Sequence, residues 1–161
     1  MRILLINPPH PSIGSRIPRE QLPPLGLLSV GGSLIDAGHD VALLDGELGP
    51  LELPEIVRRA VAHEPEAILL GHSGSTSIHP IVLELTQELR ARIPEALIVY
   101  GGVFPTYHWH DIMLEASWID VIVRGEGEAT AARLLNALER GEALHDIPGL
   151  AFRDRGVIVR P

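Results

Sequence analysis

No cysteine occurs anywhere in the 161 residues. That excludes disulfide bridges, thiolate zinc sites and cysteine-ligated iron–sulfur clusters within this chain. Basic residues are scarce: 13 Lys and Arg stand against 21 Asp and Glu, a formal charge of −8, which argues against attraction to nucleic-acid phosphates or anionic lipid. Long apolar runs are missing as well. The opening "MRILLINPPHP" breaks at Asn7 and Pro8, too early for a secretory signal, and no later run approaches the length that crosses a bilayer. One soluble, cytoplasmic domain is expected, without nucleic acid or membrane insertion among its partnerships. Aromatic side chains are few, two each of Trp, Tyr and Phe. Four of them, Tyr100, Phe104, Tyr107 and Trp109, crowd into "YGGVFPTYHWH" at 100–110.

What the chain does have is a series of short apolar runs bounded by turn residues: "RILLIN" (2–7), "DVALLD" (40–45), "EAILLG" (66–71), "ALIVYG" (96–101) and "IDVIVRG" (119–125). Such runs suit strands buried on both faces of a parallel sheet. Helical patterns lie between them. Ile78, Val82, Leu85, Leu89 and Ile93 recur at steps of three or four and stop at Pro94. Further helices are expected over 24–37, opened by Pro24 and closed by Gly38, over 54–63, and over 127–140, closed by Gly141. Alternating strands and helices predict a Rossmann-like, flavodoxin-like α/β fold, a doubly wound five-stranded parallel sheet of order 2-1-3-4-5. The tail "LAFRDRGVIVRP" (150–161) reads as a C-terminal β-hairpin turning at Asp154-Arg155-Gly156. The expected division is a domain over 1–145, followed by hairpin and linker over 146–161.

Open α/β sheets bind ligands beyond the carboxyl ends of their strands. Those positions hold Asn7, Pro8, Pro9 and His10 after the first strand, Asp45, Gly46 and Glu47 after the second, "GHSGSTS" (71–77) after the third, Gly101-Gly102-Val103 after the fourth and "GEGE" (125–128) after the fifth. A phosphate-accepting receiver site would need acids where Asn7 and His72 stand and a Lys where Gly125 stands. Neither the Walker pattern nor GxGxxG follows the first strand, so nucleotides have no dedicated cradle. Ser73, Ser75, Thr76 and Ser77 supply hydroxyls, and Gly101-Gly102 removes side chains from the adjacent strand exit. Each residue alone is explained by turn geometry or helix capping; on adjacent strands together they favour a slot for a flat or elongated group. His108 and His110 flank Trp109 on what reads as an extended loop, but no spacing fixes a third ligand, and no metal site is expected. His10 is the histidine best placed for ligation or acid–base work.

"PPLGLLSVGGSLIDAGHDVALLD" (23–45), the hydroxyl-containing exit of strand three, "IVYGGVFPTYHWHDIM" (98–113), "IDVIVRGEGEAT" (119–130) and "DIPGLAFRDRGVIV" (146–159) occur in an order that resembles the N-terminal cobalamin-binding domain of radical S-adenosylmethionine enzymes. Within that class "GGVFPTYHWHDI" is similar to the anaerobic magnesium-protoporphyrin IX monomethyl ester oxidative cyclases of bacteriochlorophyll biosynthesis. The resemblance implies a corrinoid whose nucleotide tail enters between Ser73-Gly74-Ser75 and Gly101-Gly102, touching Asn7, Pro8, Pro9, His10, Asp45, Ser73, Ser75, Thr76, Gly101, Gly102, Val103, Gly125, Glu126 and Gly127. The Asp-x-His-x-x-Gly loop that supplies a lower cobalt ligand in other cobalamin domains is replaced by "PPHPSIG" (8–14), so cobalamin is expected without that histidine, His10 being a non-standard candidate. Val103 to Trp109 are expected to wall the corrin or face a partner domain. The [4Fe–4S] cluster and S-adenosylmethionine of such an enzyme would belong to a radical domain outside this cysteine-free chain, which alone should be inactive. Three alternatives remain at this level: a radical methyltransferase parent, an FMN carrier, and a ligand-free docking module presenting the aromatic loop.

Overall fold

The computed structural model describes residues 1–9, 23–72 and 76–161. Seven strands form one sheet, β1 (Arg2–Asn7), β2 (Asp40–Asp45), β3 (Ala67–His72), β4 (Leu97–Gly102), β5 (Val121–Val123), β6 (Leu150–Asp154) and β7 (Val157–Val159), ordered β2-β1-β3-β4-β5-β6-β7. The first five are parallel in the expected 2-1-3-4-5 order. The hairpin does not stand apart as the start of a linker: β6 pairs antiparallel with β5, Ile122 opposite Ala151, and β7 pairs with β6. The boundary expected at 145 therefore falls inside one continuous sheet.

The period-two alternation of the strands divides the core into two layers. Leu4, Ile6, Ile68, Leu70, Ile98 and Tyr100 pack on one side with α2 (Leu53–His63) and α3 (His79–Arg92). Ile3, Leu5, Leu69, Val99 and Val123 pack on the other with α1 (Leu25–Asp36) and α5 (Gly127–Arg140). β1, β3 and β4 are covered on both faces, which is why their sequences are almost wholly apolar.

One element departs from expectation. Residues after β4 are not an extended loop but a helix, α4 (Val103–Glu115), kinked at His108. Pro105 sits in its first turn, where a missing N–H costs no helical hydrogen bond. Gly102 makes the corner at φ +116, and Thr106 Oγ1 donates to the Gly102 carbonyl at 2.7 Å. Ile112 and Met113 are buried by it, and Phe104 and Trp109 pack against the same layer as α2 and α3.

Candidate functional site

The parallel strands end along one edge of the sheet. There the backbone register sets Gly71 of β3 opposite Gly101 of β4, and His72 opposite Gly102. One rung of the central ladder is thus bare of side chains, and the next carries only that of His72. Above them opens a cavity of about 690 Å³, bounded by α1 through Leu25, Leu27 and Val30, by α4 through Thr106 and Tyr107, and by the β5–α5 turn. Its size lies within the usual range for small-molecule sites, and its walls are mostly apolar.

The two glycines of β4 differ. A Cβ on Gly101 would find only Val123, at 3.6 Å and beyond, so the chain does not need glycine there to fold. The missing side chain leaves the cavity floor open. Gly102, by contrast, has a backbone conformation that side chains rarely adopt, and its Cβ would meet the His72 carbonyl at 3.1 Å.

Polar groups converge on this edge from four strands. Asn7 is buried, and its Nδ2 donates to Asp45 Oδ1 at 2.8 Å. The same carboxylate oxygen accepts the Glu47 amide, while the Gly46 amide donates to the Asn7 carbonyl at 2.8 Å. A Cβ on Gly46 would lie 2.7 Å from that carbonyl; glycine is what lets the β2 turn close on β1. Thr106 ties the next two strand exits, since its hydroxyl also accepts the Gly125 amide at 2.9 Å.

His72 and Tyr100 form a buried pair, Nε2 to hydroxyl at 3.0 Å. Burial pushes the Tyr100 phenol well above its ordinary value, so it stays protonated. His79 lies parallel to the Tyr100 ring and against Phe104. Desolvation holds its pKa below the usual histidine value, opposed by Glu115 and reinforced by His108.

Of the residues singled out in the sequence, Asn7, Gly101, Gly102, Val103, Gly125, Glu126 and Gly127 line the cavity. Pro8, Pro9, Asp45 and Thr76 do not; Asp45 acts through Asn7 and the turn after β2. His10, Ser73 and Ser75 lie outside the described residues. The aromatic cluster is dispersed. Tyr100 is wholly buried in β4 and Phe104 and Trp109 face the core; Tyr107 alone of the four reaches the cavity, 78% exposed at its mouth. The guanidiniums of Arg124 and Arg160 lie over the Trp109 ring, 5.5 and 5.4 Å from its centre. His108 stacks on Phe104 and His110 stands beside Asp111. Among the described residues no group of three or more His, Asp and Glu could hold a metal.

Sequence reasoning missed Leu27 and Val30 as cavity residues, and it read His72 and Glu128 at the strand exits without counting them in the site; Thr106 and Tyr107 fall within the wall expected over Val103 to Trp109. One signal for the first two was present. The stretch "LGLLSVGG" (25–32) carries no charge over two helical turns, which a helix facing only the sheet and solvent does not require.

An apolar cavity at the strand exits of a doubly wound sheet, with its floor left open by paired glycines, suits an elongated, largely uncharged group that reaches down between β3 and β4. The chain belongs to the B12 binding domain family, whose model matches residues 18–135. It is 66% identical to the anaerobic magnesium-protoporphyrin IX monomethyl ester cyclase of Synechocystis over 95% of this chain and 31% of that protein. An uncharacterized methyltransferase of Pyrococcus horikoshii is 31% identical over 98% of the chain and 34% of its own length. The fold matches that of the cobalamin-dependent S-adenosylmethionine radical enzyme OxsB, solved with aqua-cobalamin and S-adenosylmethionine bound, with TM-score 0.82, 19% identity, and coverage of 99% of this chain and 22% of that one. The chain thus spans about a third of the length of the curated relatives it matches.

Proposed function

We propose that this chain is the cobalamin-holding part of a radical S-adenosylmethionine enzyme, and that the whole enzyme is the oxidative cyclase that closes the fifth ring of magnesium-protoporphyrin IX monomethyl ester. The observation that carries the corrinoid assignment is the open floor of the cavity, Gly71 paired with Gly101, in a chain of the B12-binding family. The 66% identity to a named cyclase supports the finer assignment.

In this reading the glycine floor and the apolar faces of Leu27 and Val30 receive the nucleotide tail. Asn7, braced by Asp45, and Thr106, braced between β4 and β5, fix the rim. His10, Ser73 and Ser75 are proposed contacts on sequence grounds. The bound corrinoid supplies the metal-centred chemistry that side chains lack. The protein's part is to orient it and keep water from one side. The cluster and S-adenosylmethionine are assigned to a domain outside this chain, which has no cysteine to ligate iron, and a cytoplasmic setting is assigned with them. The methyltransferase alternative rests on the Pyrococcus relative and changes the substrate, not the role of these residues. FMN is less favoured: among the described residues the charged side chains lining the cavity are Glu47, Glu126 and Glu128, which repel its nearly dianionic terminal phosphate more than the single phosphodiester charge of a corrinoid tail.

Titration with hydroxocobalamin, followed in the visible spectrum, tests the reading with a Gly101→Leu variant. Wild type should bind saturably and the variant should lose binding by at least about tenfold while melting at a similar temperature. Equal binding by both proteins, or none by wild type, overturns it.

A further inference from the structure

Among the described residues, the charged side chains that line the cavity share one sign. Glu47 follows β2; Glu126 and Glu128 open α5 after β5. With β1, β3 and β4 between them, the two groups sit four strand spacings apart, about 19 Å along the edge. They therefore flank the cavity from opposite ends. Glu47 and Glu128 are half-buried, and Glu126 is exposed at the mouth. Glu128 accepts the Ser29 hydroxyl at 2.8 Å, and the backbone amides of the helix N-terminus and that hydroxyl hold its carboxyl below the usual range.

A half-buried carboxylate accepts hydrogen bonds and donates none. It favours neutral N–H donors and disfavours a second carboxylate by repulsion, which is strengthened where the site is shielded from water. The corrin periphery presents neutral carboxamides, each with two N–H donors, and these derive from carboxylic acids. Resting on the cobalamin reading above, we propose that Glu47, Glu126 and Glu128 are specificity residues that accept the peripheral carboxamides of the corrin and reject corrinoids bearing carboxylates in their place. The cavity floor at Gly71, Gly101 and Gly102 carries no charge, so the discrimination is exerted at the rim and not on the tail.

The probes are hydroxocobalamin and its monocarboxylic acid derivatives, in which one peripheral carboxamide is replaced by a carboxylate. Wild type should bind at least one acid isomer about tenfold or more weakly than the amide form. In the variant carrying Glu47→Gln, Glu126→Gln and Glu128→Gln the ratio should fall to within about twofold, and added salt should narrow it in wild type. If the triple variant does not melt cooperatively, Glu126→Gln alone serves, with a partial narrowing expected. Equal affinity of wild type for amide and acid forms, or the same ratio in wild type and variants, overturns the proposal while leaving the cobalamin reading intact. Binding of neither form overturns both.

Discussion

Gly101 and Gly102 are neighbours with different obligations. Gly101 could carry a side chain without disturbing the backbone, whereas Gly102 occupies a conformation open almost solely to glycine. Gly102→Ala is expected to destabilise the chain by about 1–3 kcal/mol, read as a lower urea midpoint with unchanged slope. An unchanged midpoint would sink that account. His79 makes a second case. Its half-buried ring has a pKa below the ordinary histidine value of about 6.5, so between the two values the unfolded chain binds more protons than the folded one. Its contribution is complete above the unfolded value and is lost as pH falls toward the folded one. Wild type should lose more stability between pH 7.5 and 5 than His79→Phe, which keeps the stack on Tyr100 and Phe104; equal losses would show that His79 does not titrate in this way. Neither constraint was legible in the sequence. Gly-Gly says that space is needed, not which glycine the backbone demands, and a histidine beside Pro80 carries no sign that two aromatic rings will enclose it.

At the level of elements, the strands and four of the helices were readable because each has one dominant signal: a continuous apolar run for β1 to β4, or apolar residues at helical spacing as in α3. α4 was hidden because its core-facing residues mix Phe104 and Trp109 with Ile112 and Met113 across a kink at His108, and its first turn contains a proline. The helical step is there in retrospect: Phe104 stacks on His108 four residues later. The hairpin was legible from its turn, where Arg155 and Gly156 both take positive φ. Its docking on β5 was not, since strand pairing is a non-local choice. That docking has an energetic consequence. Phe152 is 6% exposed on the layer shared with α1 and α5, and Phe152→Ala should cost about 3–5 kcal/mol by chemical denaturation. Arg153, next along β6, donates to the carbonyls of Met113, Ala116 and Ile119 and so ties the hairpin to the end of α4. A loss under about 1 kcal/mol for Phe152→Ala would mean the hairpin only rests on the sheet.

For the whole molecule, a ligand that binds only the folded chain raises its apparent stability by mass action. Hydroxocobalamin at a hundred times its dissociation constant should add about 2.7 kcal/mol, seen as a rise in melting temperature that scales with the logarithm of ligand concentration and is absent in Gly101→Leu. A melting temperature insensitive to ligand would contradict occupancy of the cavity. The acidic balance of the chain, −8 overall, is also visible locally, at the rim of the same cavity. The order of the parallel strands and the placement of the cavity at their exits followed from sequence alone, because topology and the position of ligand sites are tied in this architecture. The lining contributed by α1 and α4 depended on how those helices lie, which local patterns do not encode.

Both indoles of the chain, Trp109 beside its two arginines and Trp118 donating to Thr86, belong to a body whose radius of gyration should be about 15 Å. Every excited indole is therefore within energy-transfer range of the cavity. A corrin absorbs strongly in the near ultraviolet where tryptophan emits, so occupancy should darken the protein's own fluorescence, and the sequence carries a built-in optical gauge of its cargo.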